Sequence, residues 1–232
     1  MKLAIMQPYL FPYIGYFQLV NAVDKFVILD DVNFISRGWI NRNRILVNNQ
    51  PHLFTVPLKQ ASQNRRIMDI EVSDEMGWKR KFLTMIEMNY RRAPFFNETY
   101  LLLENLFLQE EKFISKLIAR SIFEIMSFLD VKTDLVESSA VYANGHIRSQ
   151  DKILDICKKE KASQYINPIG GVELYSKERF IENGMTLNFI KTNEIAYRQF
   201  GNEFVPWLSM IDVLMFNSKD TVSKFINDYS LI

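Results

Sequence analysis

The stretch KLAIMQPYLFPYIGYFQLVNAVDKFVILDD, Lys2 to Asp31, decides the reading of the fold. Lys2 to Met6 is nearly all apolar, the composition of a strand covered on both faces. Phe26 to Leu29 has the same character. Between them Ile14, Phe17 and Val20 recur at helical spacing, which predicts a helix from Ile14 to Val23 that ends at Asp24. Two buried strands joined by a helix over about 30 residues form a βαβ unit, right-handed and parallel.

Working outward, residues 32–75 change character. Ile45-Leu46-Val47, His52 to Val56 and Ile67 to Val72 are short strand candidates, with Asn48-Asn49 and Ser62-Gln63-Asn64 as turns. They predict a β-rich insertion after the second strand. Residues 76–130 read as helical. Phe113, Ile114, Leu117, Ile118, Ser121, Ile122, Ile125 and Leu129 mark one apolar face.

The last third returns to α/β alternation. Strands are expected over 134–137, 164–167 and 187–190. Helices are expected over 150–161, 174–183 (Gly184 following as a C-cap), 206–216 and 218–229. The expectation is one α/β domain over residues 1–232, with a mostly parallel sheet and flanking helices.

Composition narrows the function classes. The 28 Lys and Arg residues nearly balance 27 Asp and Glu, for a net charge of +1. No global field argues for DNA or an anionic membrane. Cys157 is the single cysteine, which excludes an internal disulfide and a cysteine-rich metal site. His52 and His146 lack ligand spacing for zinc. The apolar start stops at Gln7-Pro8, too short for a signal segment, and no run is long enough for a membrane span. A reduced cytoplasm is the expected location.

In an open parallel sheet, ligands sit beyond the carboxyl ends of the strands. The Gln7–Gly15 loop leaves the first strand there, and Asp30-Asp31 leave the second. The two segments are therefore expected to flank one crevice. Pro8 and Pro12 stiffen the loop. Gly15 opens the helix N-terminus to an anion such as phosphate. Tyr9, Tyr13 and Tyr16 offer flat faces for a base or sugar. The plain alternative is an aromatic loop that plugs the end of the sheet. No Gly-x-Gly-x-x-Gly or Walker phosphate loop occurs.

A second cluster follows directly: Ser36-Arg37-Gly38-Trp39-Ile40-Asn41-Arg42-Asn43-Arg44. Arginine suits a two-pronged grip on phosphate, and Asn41 and Asn43 carry both donors and acceptors. In an extended strand the asparagines face one side and Arg42 and Arg44 the other. Arg148 lies beside a helix start with Ser149 as its expected cap. His146, in the same loop, is a candidate general base. Ser209 and Asp212 share a helical face; they either orient a substrate or form a helix-surface hydrogen bond. Cys157 is expected in the core.

Gln7 to Phe17, Asp24 to Asp31 and Trp39-Ile-Asn-Arg-Asn43 together resemble the WbqC-like family. The resemblance continues through Thr55-Val56-Pro57, Tyr165-Ile166-Asn167, Tyr175 and Leu208 to Asp212, across essentially the whole chain. Gln7, Pro8, Tyr9, Gly15, Asp30, Trp39, Asn41, Arg42, Asn43, Ser209 and Asp212 fall in its recurrent motifs. Phe11 stands where Pro often follows Leu, and Asn33 where Gln is common. The resemblance implies a place among surface-polysaccharide (O-antigen) proteins and transfer of an aminoacyl unit, such as glycine, to an amino sugar.

Residues and resemblance together give an expected enzyme acting on a nucleotide-linked amino sugar. Arg37 and Arg42 would hold phosphate, and the tyrosines would stack on base or sugar. Asp30 or Asp31 would take the amine proton or coordinate Mg²⁺. ATP joins Mg²⁺ if the acyl group is activated as an adenylate. The donor could be a free, carrier-bound or tRNA-bound amino acid. A non-catalytic subunit that binds a sugar nucleotide or carrier protein is the alternative of another class.

Overall fold

The computed structural model describes residues 1–73, 77–201 and 203–232. Strand β1 (Lys2–Met6), helix α1 (Ile14–Asn21) and strand β2 (Lys25–Ile28) form the expected unit. The strands pair in parallel from Leu3 opposite Lys25 to Met6 opposite Ile28. Helix α1 is shorter than its apolar pattern because the chain must turn at Ala22 and Val23 to enter β2.

The rest of the central sheet is added on both sides. The insertion after β2 contains a hairpin of β3 (Arg42–Val47) and β4 (Gln50–Thr55), then a minimal pair, β5 (Leu58–Lys59) and β6 (Glu71–Val72). Strand β7 (Asp134–Val136) pairs with β2. Strand β8 (Gln164–Pro168) pairs with β1, and β9 (Thr186–Thr192) lies beyond it. All five are parallel. A last strand, β10 (Tyr229–Leu231), closes the β9 edge antiparallel, giving the order β10-β9-β8-β1-β2-β7. The chain builds outward from β1 through β2 to β7, then crosses back to β8. The switch point therefore lies between β1 and β8, where the sheet's carboxyl edge is best placed to hold a ligand.

Alternation along the strands explains the two layers. Leu3, Ile5, Val27, Tyr165 and Phe189 face one side. There they meet Ile153, Ile156 and Cys157 of α5 (Ser149–Lys159) and Phe180 of α6 (Lys177–Glu182). Ala4, Phe26, Ile28, Ile166 and Ile190 face the other side, toward α1 and the larger core. Cys157 is buried, and burial pushes its thiol up to about 12.

That larger core also takes helices α2 (Trp78–Tyr90), α3 (Phe96–Leu108) and α4 (Ile114–Phe128). Helix α4 buries Ile114, Leu117, Ile118, Ser121, Ile122 and Ile125, the face its periodicity marks. The start of the expected helical segment, residue 76, lies outside the described residues. The hairpin turn carries Asn48 and Asn49 with φ of 50° and 61°, the left-handed pair a two-residue turn requires.

Several boundaries move for local reasons. Ile67 to Asp69 forms a 3-10 turn rather than a strand, because Ile67 inserts fully into the core. The helix expected from Leu174 starts at Lys177, where the Ser176 hydroxyl accepts from Arg179 N–H. Gly184 follows it in the left-handed region, as expected of a helix stop. Helix α7 (Met210–Phe216) starts four residues after Pro206, since Trp207 takes a φ of 61° and breaks the run. Helix α8 (Lys219–Ile226) stops early because residues 229–231 pair with β9.

Ile118 on α4 is wholly buried. Ile118→Ala is expected to lower the unfolding free energy by about 2–5 kcal/mol, read from the shift of the urea midpoint at unchanged slope.

Candidate functional site

The loop after β1 folds inward before it can face solvent. Leu10 and Phe11 are buried, and Phe11 packs against Phe54, Phe82 and Phe107. Phe11 also has a φ of 41°, which a bulky side chain adopts only when its surroundings hold it. Those surroundings are polar. Asn43 Nδ2 donates to the carbonyls of Leu10 and Phe11, each at 2.9 Å. Ser209 Oγ donates to the Phe11 carbonyl at 2.7 Å. Leu10 N–H reaches the Trp39 carbonyl and Met210 N–H the Pro12 carbonyl. Two separate segments, 39–43 and 209–210, thus grip one turn.

This grip turns some loop residues inward and others outward. Pro8 and Tyr16 are buried, and the Tyr16 hydroxyl donates to the Gln7 carbonyl at 3.1 Å. Tyr13 lies across Gly15. A Cβ at Gly15 would stand 2.3 Å from Tyr13 Cε2 and 2.7 Å from Thr192 Oγ1. Glycine here makes room for the tyrosine ring rather than for an anion. Tyr9 and Tyr13 border open space instead. Burial raises both phenols above their ordinary value, so they remain neutral hydrogen-bonding groups.

The open space is a pair of clefts. The smaller, about 370 Å³, is bounded by Tyr9, Tyr13, Trp39, Asn43, Arg44 and Trp207. The Arg44 guanidinium stands 5.3 Å from the centre of the Trp39 ring. Across Tyr13 and Trp207, whose rings are 5.8 Å apart, lies a larger cleft of about 660 Å³. It runs along the end of β9 and the irregular segment that leads to α7. Tyr13 and Trp207 belong to both. Trp207 is 67% exposed. It escaped sequence reasoning because it lies in no charged or polar motif; its one signal is its place two residues before Ser209.

Asp30 and Asp31 turn away from these clefts. They are 1% and 4% exposed. Asp30 Oδ1 accepts from the Ser138 hydroxyl at 2.7 Å and from Ser139 N–H at 3.2 Å. Burial raises the Asp30 pKa, a shift the Ser138 hydrogen bond opposes. Asp31 accepts from the Ser139 hydroxyl and pairs with Lys152 Nζ at 2.6 Å. Lys152 is itself only 3% exposed, and it also donates to Asn144 Oδ1 at 2.9 Å and to the Asn144 carbonyl at 3.3 Å. The two carboxylates thus fasten the turn after β7 and the start of α5 to the end of β2. Among the described residues they do not line either cleft that the opening loop borders, so the expected shared crevice is replaced by this buried junction.

The remaining expected residues are spread around this frame. Asn41 Nδ2 donates to the Val56 carbonyl at 2.8 Å, bracing the hairpin base. Arg42 folds back on its own turn, with Nε on the Gly38 carbonyl at 2.8 Å and Nη2 on the Arg37 carbonyl. Arg37, His146 and Arg148 are exposed outside both clefts. Arg148 occupies the N-cap position, and Ser149 is the first helical residue rather than the cap. Tyr175 packs on Tyr165 and Phe180 in the second core. Ser209 caps α7 by accepting from Ile211 N–H. Neither Ser209 nor Asp212 lies on a helix surface, because α7 is buried throughout.

With this geometry in view, comparison with known proteins is direct. The WbqC-like protein family model matches residues 7–224. The chain belongs to the WbqC-like family. The uncharacterized protein Rv1507c of Mycobacterium tuberculosis is 27% identical over 216 residues, covering 92% of each chain. No solved structure matches. Among the described residues of this WbqC-like chain, no helix is long and apolar enough to cross a membrane. Nor does any group of three or more His, Cys, Asp or Glu side chains among them come together as a metal site.

Asp212 shows how the WbqC-like motifs serve this frame. Its carboxylate accepts from the hydroxyls of Tyr90 and Tyr197, each at 2.7 Å, and from Gln199 Nε2 at 2.8 Å. Tyr90 in turn accepts from Leu46 N–H at 2.6 Å. Asp212 therefore ties α2, the hairpin and the 194–208 segment to α7. That segment carries Trp207 and one wall of the larger cleft.

Two predictions follow from these buried carboxylates. Asp31→Asn leaves Lys152 buried without a counter-charge and is expected to cost about 3–5 kcal/mol in urea unfolding. Adding Lys152→Met should recover most of that loss. For Asp212, burial raises the pKa above the ordinary 3.8 despite its three donors. A raised folded pKa means stability present below the unfolded value and lost as pH rises through the folded one. The stability of wild type relative to Asp212→Asn should therefore fall as pH is raised from about 3.8 through the folded-state value. A difference that instead grows with pH would show the carboxylate to be favoured when charged.

Proposed function

We propose that this WbqC-like protein is an enzyme of surface-polysaccharide biosynthesis. It modifies a nucleotide-linked amino sugar, by N-acylation with an aminoacyl group. The observation that carries the reading is the pair of adjoining clefts with Tyr13 and Trp207 as their common wall. A transfer between two molecules needs both held side by side, and such placement is itself a large part of the rate gain.

The smaller cleft suits the sugar nucleotide. Tyr9, Trp39 and Trp207 offer flat faces to a base or sugar ring. Arg44 supplies a guanidinium at the same cleft, the group best matched to a diphosphate. In this reading Arg44 takes the phosphate role expected of Arg37 and Arg42. Asn43, Ser209 and Asp212 act beneath it by fixing the loop and the Trp207 segment. The acyl group approaches through the larger cleft. The neutral sugar amine attacks the acyl carbonyl; the C–N bond forms as the bond to the leaving group breaks, and the leaving group departs with its electron pair and takes up the proton the nitrogen releases. No covalent enzyme intermediate is invoked, so no Ser-His or Cys-His pair is required. If the donor is an adenylate, ATP and Mg²⁺ supply the activation.

A second reading has its own support. Asp30 and Asp31, which follow β2, are engaged by Ser138, Ser139 and Lys152. Among the described residues no carboxylate lines the aromatic cleft, which favours a binding subunit that presents the sugar nucleotide to a partner enzyme.

One experiment separates the two. Purified protein is incubated with dTDP-linked amino sugars, amino acids, ATP and Mg²⁺, and products are followed by mass. The enzyme reading expects an aminoacylated sugar nucleotide. Calorimetry should show binding weakened about tenfold by Arg44→Ala or Trp207→Ala, the loss of about 1.4 kcal/mol. Binding without product favours the subunit reading. Absence of nucleotide-sugar binding removes both.

A further inference from the structure

The larger cleft carries a chemical signature of its own. Its floor is carbon: Ile14, Ile195, Ala196, Phe204, Leu208 and Val213 border it. Its rim holds one cation and one anion, Lys191 at the end of β9 and Glu194 three residues later. Both are exposed. Among the described residues neither forms an ion pair or a side-chain hydrogen bond, although their neighbour Asn193 is tied to Asp228 and Ser230. Among the described residues, Lys191 and Glu194 are thus the two charged residues that border an apolar hollow of about 660 Å³.

We propose that this cleft binds a zwitterionic α-amino acid with a large apolar or aromatic side chain. Glu194 takes its ammonium group, Lys191 its carboxylate, and the apolar floor its side chain. The proposal rests on the aminoacyl-transfer reading and narrows it: glycine, lacking a side chain, would leave the floor wet. A fatty acid would satisfy Lys191 but set its carboxylate against Glu194. An alkylamine would do the reverse. Only a ligand with both charges close together meets both rim residues. The site adjoins the aromatic cleft through Tyr13 and Trp207, which places the amino acid beside the sugar nucleotide.

The test is calorimetry on the full chain, with L-phenylalanine, glycine, phenylpropionate and phenethylamine as separate ligands. Phenylalanine should bind. Glycine should bind about a hundredfold more weakly, as expected from the apolar area left uncovered. Phenylpropionate, without the ammonium, and phenethylamine, without the carboxylate, should each be about tenfold weaker than phenylalanine. Glu194→Gln should erase the preference over phenylpropionate but keep that over phenethylamine, and Lys191→Met should do the converse. Both changes are at exposed positions and leave the core untouched. The proposal is overturned if phenylalanine does not bind, if glycine binds as well, or if neither variant alters its preference. Titration of the same sample with a dTDP-linked amino sugar separates the two levels. Sugar-nucleotide binding with no amino-acid binding overturns this inference alone. Amino-acid binding with no sugar-nucleotide binding overturns the proposed function and leaves the amino-acid site standing.

Discussion

The carbonyls of Leu10 and Phe11 sit in the interior, and two side chains from distant parts of the chain satisfy them. Asn43 reaches both from the hairpin, and Ser209 reaches the second from the cap of α7. A buried carbonyl without a partner costs about 1–3 kcal/mol, so these bonds do more than decorate the turn. They let Phe11 keep a left-handed backbone and drive its ring into the Phe54–Phe82–Phe107 cluster. They also decide which loop residues remain at the surface. With Leu10 and Phe11 drawn in, Tyr9 and Tyr13 are left on either side as cleft walls.

The same logic runs through the other buried polar groups. Asp212 gathers two tyrosines and a glutamine, and so joins elements that the core alone would leave free to slide. Asp31, through Ser139 and Lys152, fastens the end of β2 to the turn after β7 and to α5. In each case a charge is taken from water at a cost and then met by several donors or by a counter-charge. The result is a hydrogen-bonded frame beneath a surface that presents Trp39, Arg44, Lys191, Glu194 and Trp207. Motif residues and cleft residues overlap only in part: Tyr9, Trp39 and Asn43 belong to both. Asn41 and Ser209 hold backbone carbonyls and Asp212 holds two tyrosines and a glutamine, whereas Arg44, Lys191 and Trp207 border the open space.

The switch point of the sheet explains why the clefts lie where they do. Strands on the two sides of β1 are reached by chain segments that diverge at the carboxyl edge. The β1 loop fills much of that gap itself. What remains open is displaced toward β9, where the 194–208 segment leaves the sheet before α7 begins.

Much of this was written in local pattern. Apolar runs at Leu3–Met6 and Phe26–Ile28 specify buried strands, the periodicity of α4 specifies its inward face, and Asn48-Asn49 specifies a tight hairpin, because each depends on neighbours within a few residues. The Trp39–Asn43 and Leu208–Asp212 motifs were legible as segments of importance. Their direction was not. Whether Asp30 faces a ligand or Ser138 depends on where β7 lands, more than 100 residues later in the chain. Whether Gly15 admits an anion or the Tyr13 ring depends on Thr192 of β9 as well. Sequence alone determined the βαβ core, the α/β alternation of the last third and the residues rich in chemistry. Only the tertiary structure decided which of them are consumed in holding the fold and which are left facing open space. Side-chain partners are chosen by long-range packing, and a local pattern carries no information about what will arrive from the far end of the chain.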